Sequence, residues 1–434
     1  MCEMREDNSF IDILRSEVVP ALGCTEPIAV ALAVSRAREA LGATPDRVKV
    51  LVSPNIFKNG MGVGVPGTGL TGLPIAAALG MIYGKSEDGL EVLRGVTADV
   101  VKEAVTVISG GKVEIDIEKN SHKLYVEAIC YGETDSVSRA IINTRHSNIC
   151  KVELDGTVIE SRSDNVSDTS STGSDPVNGL SVSAIYDFAV SVPFEKISFI
   201  LESAEVNRAV AEEGLNGEYG LMVGRRLKAL VDRGVLGDDL INRAMMLTAA
   251  ASDARMAGSS MPVISNSGSG NQGLTATLPV VAAAEKLQSD RESLARALTL
   301  SHLIAIHIKR YLGRLSALCG CVVSSAAAGC GVTLLLGGGK RETVYTIKNM
   351  IGSITGMICD GAKEGCALKI SSGVGSAVQS SLLALEGVVV SSADGIIEED
   401  IEKSIRNLGA VGSEGMVATD DLLLDIMVSK SADQ

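Results

Sequence analysis

The pattern of apolar and polar residues changes near the middle of the chain. In the first 160 residues, Phe10–Val18 and Glu26–Leu41 repeat apolar residues at the spacing of a helix face. Other stretches alternate with the two-residue period of half-exposed strands, and a strand pair is expected through Asp155-Gly156. These stretches are Arg47–Val52, Lys112–Ile117, Lys123–Ile129 and Asn148–Ile159. The pattern predicts an α+β N-terminal domain, residues 1–160, with a small antiparallel sheet covered by helices.

After residue 179 the two-residue alternation almost disappears and helical spacing takes over. The predicted helices are Ile197–Glu213, Leu221–Arg233, Leu240–Arg255, Leu274–Lys286, Arg291–Tyr311, 316–336, 342–358, 374–386 and 396–408. Alanine and glycine are abundant among them, so helices can approach closely. We expect an all-α C-terminal domain over residues 180–434. Between the two domains, Ser161–Gly179 is rich in Ser, Asp and Gly and predicts a linker or long surface loop.

Charge and composition narrow the range of partners. The 434-residue chain carries a formal charge of −14 and no long basic run, which argues against nucleic acid or an anionic membrane. Two long segments lack charge, Met256–Ala284 and Leu315–Gly339, but polar residues dilute both, so we expect no membrane span. The acidic N-terminus does not resemble a signal peptide, so we expect a cytoplasmic protein with a small-molecule substrate. The oligomeric state, including a homo-oligomer, stays open.

Three cysteines near the C-terminus are candidate metal ligands. Cys321 lies in LCGCVV, and Cys359 and Cys366 bracket the stretch CDGAKEGC. Thiols that converge from separate loops suit an iron–sulfur cluster, but zinc or buried unligated thiols fit the spacing as well. Either thiol of Cys319-Gly320-Cys321 could take part. A straight helix would point the two thiols in different directions, so only one of them is expected to be a ligand. We choose Cys321.

A fourth cysteine, Cys24, lies in VVPALGCTEPIAV. Gly23 permits a tight turn, Thr25 is a good helix N-cap, and Pro27 suits a first helical turn. Cys24 is therefore expected just before a helix N-terminus, where the helix dipole stabilises a thiolate. Such a thiolate could act as a base or nucleophile, although an ordinary turn cysteine is the alternative.

The segment Ser265–Gly273, SNSGSGNQG, is polar and glycine-rich within apolar surroundings. Backbone N–H groups in such turns form anion-binding nests, and a substrate carboxylate would suit one. The candidate substrate-binding residues are Ser267, Gly268, Ser269, Gly270, Asn271 and Gln272. No strand precedes the segment and the P-loop lysine is missing, so it is neither a P-loop nor a dinucleotide fingerprint. A flexible connection is the alternative.

Taken together, five motifs resemble the L-cysteine desulfidase family. They are GCTEP (23–27), SGSGNQG (267–273), LCGC (318–321), TGMICDGAKEGC (355–366) and ISSGVGSA (370–377). The C-terminal part is also similar to the iron–sulfur L-serine dehydratase α domain.

The resemblance implies a PLP-independent lyase with a [4Fe–4S] cluster that converts L-cysteine to pyruvate, ammonia and sulfide. Cys321, Cys359 and Cys366 would be the cluster ligands and Cys24 the catalytic base, in a site between the two domains. Serine dehydratases have a longer spacing between the last two cysteines, which leaves the substrate less certain. A serine or threonine dehydratase and a non-catalytic iron–sulfur sensor are the alternatives.

Overall fold

A computed structural model describes residues 3–432 except 120, 123, 134, 163–179 and 314–315. The described residues form seventeen α-helices and eight β-strands. The helices are α1 (Glu3–Glu17), α2 (Thr25–Leu41), α3 (Pro54–Gly60), α4 (Leu73–Ile82), α5 (Ala98–Ser109), α6 (Val182–Ser191), α7 (Phe194–Ile197), α8 (Leu201–Asn216), α9 (Val223–Asp232), α10 (Leu240–Met256), α11 (Gly270–Leu287), α12 (Arg291–Leu312), α13 (Gly320–Leu335), α14 (Lys340–Ile354), α15 (Cys366–Leu385), α16 (Ile401–Ala410) and α17 (Val417–Ala432). The strands are β1 (Pro20–Leu22), β2 (Arg47–Val52), β3 (Val113–Ile117), β4 (Tyr125–Tyr131), β5 (Val137–Asn143), β6 (Ile149–Leu154), β7 (Thr157–Ser161) and β8 (Pro262–Ile264).

The main sheet is larger than the sequence pattern predicts. Its strand order is β3-β2-β4-β5-β6-β7, and β2 pairs with β3 in parallel while the other pairs are antiparallel. The expectation of a small antiparallel sheet is confirmed in part: the sheet is larger than expected and mixed, with one parallel pair among otherwise antiparallel strands. Side-chain alternation does not encode strand direction. The parallel pair becomes possible because α3, α4 and α5 supply the long crossover that it needs.

Local signals for the strands are confirmed where the turn chemistry is strong. β6 and β7 form the expected hairpin through Asp155 and Gly156, both of which have positive φ, as a tight two-residue hairpin turn requires. In β2, Val48, Val50 and Val52 are buried and the intervening residues are not. These valines pack with α2, which is buried along most of its length, so helix and sheet form one apolar core.

The residues after 179 are helical apart from β8. At the centre, α13 packs against α11, α12, α14 and α15. A Cβ on Gly331 would lie 2.8 Å from the carbonyl oxygen of Ala297, so glycine there lets α13 approach α12. Burial of α13 explains the uncharged segment in the sequence, and no helix within the described residues is long and apolar enough to cross a membrane.

The described parts of α1 and β1 pack with the helical part of the chain. Phe10, Ile13 and Leu14 of α1 belong to the same core as α6 and α12, and Phe10 stacks on Phe188 at 4.7 Å. β1 pairs with β8 in a two-stranded antiparallel sheet. The chain therefore enters the helical part before it forms the main sheet, and the division at residues 1–160 and 180–434 stays a prediction. Ser161 ends β7, and positions 163–179 of the expected linker lie outside the described residues.

Candidate active site

Cys24 lies at the junction between β1 and α2. It is the residue before the first turn of α2, and its side chain makes no capping hydrogen bond. Gly23 precedes it with φ +63°, and a Cβ on Gly23 would collide with the ring of Pro66, so the turn requires glycine. Only 2% of Cys24 is exposed. It packs with Val63 and Met256, and Cys366 packs against the same cluster.

The protonation of Cys24 differs from the sequence expectation. Burial raises the pKa of Cys24 to about 12, Arg255 opposes this rise through its charge and a hydrogen bond, and Glu26 adds to it. Removal of a thiol from water disfavours its charged form more strongly than the start of α2 favours it. The expectation of a stabilised thiolate is therefore wrong for the buried side chain in this structure, because its raised pKa keeps Cys24 a neutral thiol at neutral pH.

Cys319 and Cys359 are brought together by a short backbone pairing. The N–H of Cys359 donates to Ala317 O at 2.6 Å, and the N–H of Cys319 donates to Met357 O at 2.9 Å. The Cys319 thiol then hydrogen-bonds to Cys359 and lowers the pKa of Cys359, while that of Cys319 is raised. This pairing holds two thiols side by side, one of them poised to ionise.

Cys321 and Cys366 are the other two thiols of this region. The Cys321 thiol lies 3.4 Å from Lys369 O and 3.5 Å from Ser325 Oγ, and a Cβ on Gly373 would lie only 2.7 Å from its sulfur. Cys321 is thus packed against α15, whereas Cys319 faces Cys359. Cys366 begins α15 and interacts electrostatically with Cys321, Cys359 and Cys24. The geometry therefore favours Cys319 over Cys321 as the neighbour of Cys359.

Three lysines surround the Cys319–Cys359 pair. Lys58, which forms an ion pair with Asp420, and Lys369, which bonds to Ile358 O and Asp360, both lower the pKa of Cys359. Lys309 is only 7% exposed, and burial lowers its pKa while Cys359 and Cys319 raise it. Positive charge is therefore concentrated where two thiols meet, which favours thiolates or an anionic group bound by them.

The polar glycine-rich segment forms a tight turn followed by a helix. Asn266 and Ser269 pair through their backbones, which places Ser267 and Gly268 at positive φ. Ser269 then caps α11 by accepting a hydrogen bond from the N–H of Gln272 at 3.4 Å. The first residues of that helix are Gly270 and Asn271. This turn positions a helix N-terminus, which is a general anion-binding element.

Two side chains of this segment contact residues that adjoin the thiols. Asn271 Oδ1 accepts a hydrogen bond from Arg255 at 3.2 Å, and Arg255 in turn bonds to Gly23 O at 3.0 Å beside Cys24. Gln272 packs on Gly320, where a Cβ would lie 2.9 Å from its Cδ. The structure thus brings Asn271 and Gln272 to the site. Ser267 instead bonds to its neighbour Asn266 at 2.8 Å.

Comparison with known proteins bears on these residues. The family model of the serine dehydratase alpha chain matches residues 87–425, more than three quarters of the chain. The chain belongs to the serine dehydratase alpha chain family. The match contains the glycine-rich segment and the four C-terminal thiols of the site but begins after Cys24. The expected resemblance to the iron–sulfur serine dehydratase α domain is confirmed at the level of the family.

Relatives match the chain over its whole length. It is 51% identical to the UPF0597 protein of Oleidesulfovibrio alaskensis, with 98% of this chain and 99% of the relative covered. The UPF0597 protein of Parabacteroides distasonis is also 51% identical over 97% and 98% of the two chains. That of Photobacterium profundum is 47% identical over 98% and 99%. These names state no activity, so function must be argued from the site.

The thiols of this serine dehydratase family member have the chemistry of iron–sulfur ligands. No three His, Cys, Asp or Glu side chains in the described part of the chain are arranged around a single metal ion. In a four-iron cluster each thiolate binds a different iron, so a single-ion arrangement is not its requirement. The donor set is purely thiol, half-buried to buried, and bordered by lysines, which fits an anionic iron–sulfur cluster.

Sequence reasoning missed the cations of the site. Arg255 is the last charged residue before the uncharged segment that begins at Met256, and a lone arginine there was a usable signal. Lys309 lies on the buried face of α12 in its last turn. Its burial could not be recognised from sequence, because Arg310 beside it makes the pair look like an ordinary basic helix end. Lys58 gave no local signal, because its proximity to Cys359 arises only from tertiary packing.

Proposed function

We propose that the protein is an iron–sulfur lyase that eliminates the β-substituent of a small amino acid, with L-cysteine as substrate. L-Cysteine and water would give pyruvate, ammonia and hydrogen sulfide. The observation that carries this proposal is that Cys366 packs against the apolar cluster of Cys24 and interacts electrostatically with its thiol. This proximity supports a site that combines a thiol from the start of the chain with the clustered C-terminal thiols. Membership of the serine dehydratase family supports the same class of reaction.

The cofactor of this proposal is a [4Fe–4S] cluster held by Cys359, Cys366 and one thiol of the Cys319–Cys321 pair. The contact with Cys359 supports Cys319 as the third ligand, while Cys321 is the choice from the sequence pattern. With three protein thiolates, one iron would be left to act as a Lewis acid on the leaving group. The surrounding lysines offset the negative charge of the thiolates.

Cys24 would remove the Cα proton. It must first lose its own proton, which burial opposes and the guanidinium of Arg255 favours. The ammonium group of the bound substrate would add positive charge near Cys24, so the proton is lost more readily when the site is filled. Because Cys24 is 2% exposed, the surrounding segments must open for substrate to enter.

The test is an anaerobic assay of sulfide and pyruvate release from L-cysteine by wild-type protein and by Cys24→Ser. Wild type should release both products, and Cys24→Ser should retain iron and labile sulfide while turnover falls by about 10²–10⁴-fold, as for loss of a general base. Cys130→Ser, a buried thiol of the sheet core, is the matched control and should keep full activity. Full activity of Cys24→Ser would remove Cys24 from the mechanism.

A serine dehydratase is the second candidate, and the family match favours it. The same assay with L-serine separates the two: faster pyruvate release from L-serine than from L-cysteine would support the dehydratase. Iron-loaded protein that releases pyruvate from neither substrate would instead support a non-catalytic iron–sulfur sensor.

A further inference from the structure

Arg255 lies in the last turn of α10, against the start of α11, and 7% of it is exposed. One terminal nitrogen donates to Gly23 O at 3.0 Å and the other to Asn271 Oδ1 at 3.2 Å. The guanidinium also hydrogen-bonds to the thiol of Cys24 and lies close enough to Cys366 to influence its pKa. Arg255 therefore connects the turn before α2, the start of α11 and the thiols.

No carboxylate neutralises this guanidinium. Both oxygen acceptors are uncharged amide oxygens, Nε has no hydrogen-bond partner, and no Asp or Glu forms an ion pair with Arg255 among the residues described. A buried charge is costly unless it is paired, and an arginine fork matches the geometry of a carboxylate. A buried arginine without a carboxylate partner indicates that an anionic ligand binds to its guanidinium.

The start of α11 provides the second half of an anion site. Nε of Arg255 lies 2.2 Å from the position that a Cβ on Gly270 would take, so the guanidinium occupies the space left by glycine. Gly270 and Asn271 are the first residues of an eighteen-residue helix, and the N–H groups of a first turn have no acceptor within the helix. A cation and a helix N-terminus thus lie against each other beside Cys24.

We propose that Arg255, together with the N-terminus of α11, binds the α-carboxylate of the amino-acid substrate. The inference rests on the proposed function, since it assigns the substrate's carboxylate end within the same site. A carboxylate held there has its Cα next to Cys24 and its β-substituent on the side of Cys366. Arg255 would thus set the orientation of the substrate as well as its affinity.

The experiment compares L-alanine with L-alaninamide. Both carry the ammonium group and neither has a leaving group, but only L-alanine has a carboxylate. Affinities are measured by isothermal titration on anaerobically purified, full-length protein. The variants are Arg255→Gln, Arg255→Lys and the control Arg296→Gln, which removes a partly buried arginine bonded to Glu292 and Ala189 O. Iron content and melting temperature are recorded for each.

Wild type and Arg296→Gln should prefer L-alanine by about 10- to 100-fold, the range expected from hydrogen bonds to a charged group. Arg255→Gln should lose that preference, and Arg255→Lys should keep part of it, since a lysine retains the charge without the fork. If Arg255→Gln does not fold, an unchanged preference in Arg255→Lys overturns the proposal. An undiminished preference in Arg255→Gln, or none in wild type, overturns it as well.

Failure of this inference is distinguishable from failure of the proposed function. Wild-type protein could release sulfide from L-cysteine while the Arg255→Gln variant keeps the L-alanine preference. That result leaves the lyase function intact and assigns Arg255 to the Cys24 thiol instead of the carboxylate. An Arg255-dependent preference in a protein that releases no sulfide leaves the carboxylate site intact and removes the L-cysteine reaction.

Discussion

Cys24 is buried and Cys359 is partly exposed, and their surroundings act on the two thiols in opposite directions. Cys359 accepts a hydrogen bond from Cys319 and faces Lys58 and Lys369, and these groups lower its pKa. Cys24 is enclosed by apolar side chains, and Arg255 only partly offsets the burial that raises its pKa to about 12.

The comparison shows that a thiol donor and neighbouring cations favour the thiolate of Cys359, whereas apolar burial disfavours that of Cys24. A metal ligand must be a thiolate, whereas a base must accept a proton and later release it. The surroundings of Cys359 favour its thiolate, with Cys319 as the protonated partner. Cys24 is suited to being protonated in the empty site and to losing its proton when substrate is bound.

The largest effect that the comparison predicts is the loss of the cluster on replacement of Cys359. Cys359→Ala should reduce iron and acid-labile sulfide from about four of each per chain to near zero, because a cubane needs its thiolates. Cys330→Ala is the control, since Cys330 is a fully buried thiol that donates to Ala326 O within α13. Iron retained in Cys359→Ala would break the distinction between the two kinds of thiol.

The next prediction concerns the two thiols on either side of Gly320. Because Cys319 contacts Cys359 while Cys321 packs on Lys369 O, Cys319→Ala should lose most of the iron and Cys321→Ala should keep most of it. Iron and sulfide analysis of both variants, purified anaerobically in parallel, decides the matter. The reverse result would restore Cys321, the choice made from the sequence pattern.

A smaller effect should follow from removal of one cation. In cluster-free protein, Lys58→Met should raise the pH midpoint of Cys359 alkylation by iodoacetamide, because Lys58 lowers the pKa of that thiol. Mass spectrometry of the modified peptide follows the reaction across pH. Asp420→Asn is the control, since it breaks the same ion pair but leaves the cation in place. A midpoint that does not move in Lys58→Met would mean that the hydrogen bond from Cys319 is sufficient.

The parts of this site that could be predicted from sequence are the local ones. Gly23 and Pro27 correctly indicated that Cys24 directly precedes a helix, because both act on the backbone within a few residues. The protonation of Cys24 could not be predicted, since Val63 and Met256 bury it from distant parts of the chain.

The same limit applies to the fold. Most C-terminal helices followed from their periodicity, but α15 starts at Cys366, eight residues before the predicted beginning at 374. The strand β5, Val137–Asn143, was missed because its buried face includes Ser138, which donates to Ala37 O at 2.6 Å. A polar residue satisfied by a distant carbonyl hides a strand from pattern reasoning.

The smallest effect extends the comparison to two further buried groups, His302 and Asp253. Burial lowers the pKa of His302 from 6.5 to about 3, so between these values the unfolded chain binds the extra proton and stability falls as pH falls. Burial raises the pKa of Asp253 from 3.8 to about 7, so the folded chain binds the extra proton in that window and stability falls as pH rises. Each slope is at most about 1.4 kcal/mol per pH unit, and between pH 4 and 6.5 the two oppose each other.

His302→Gln and Asp253→Asn should therefore tilt the pH dependence of the unfolding free energy in opposite directions. With His302→Gln the slope against pH becomes more negative, because the histidine contribution is lost. With Asp253→Asn the slope becomes more positive. Urea unfolding of cluster-free protein at several pH values from 4 to 7 measures both, with the exposed Asp232→Asn, which breaks the ion pair with Lys228, as the control. If both substitutions changed the slope in the same direction, burial without a paired charge would not control the pKa of these two groups. The explanation given for the raised pKa of Cys24 would then lose its support.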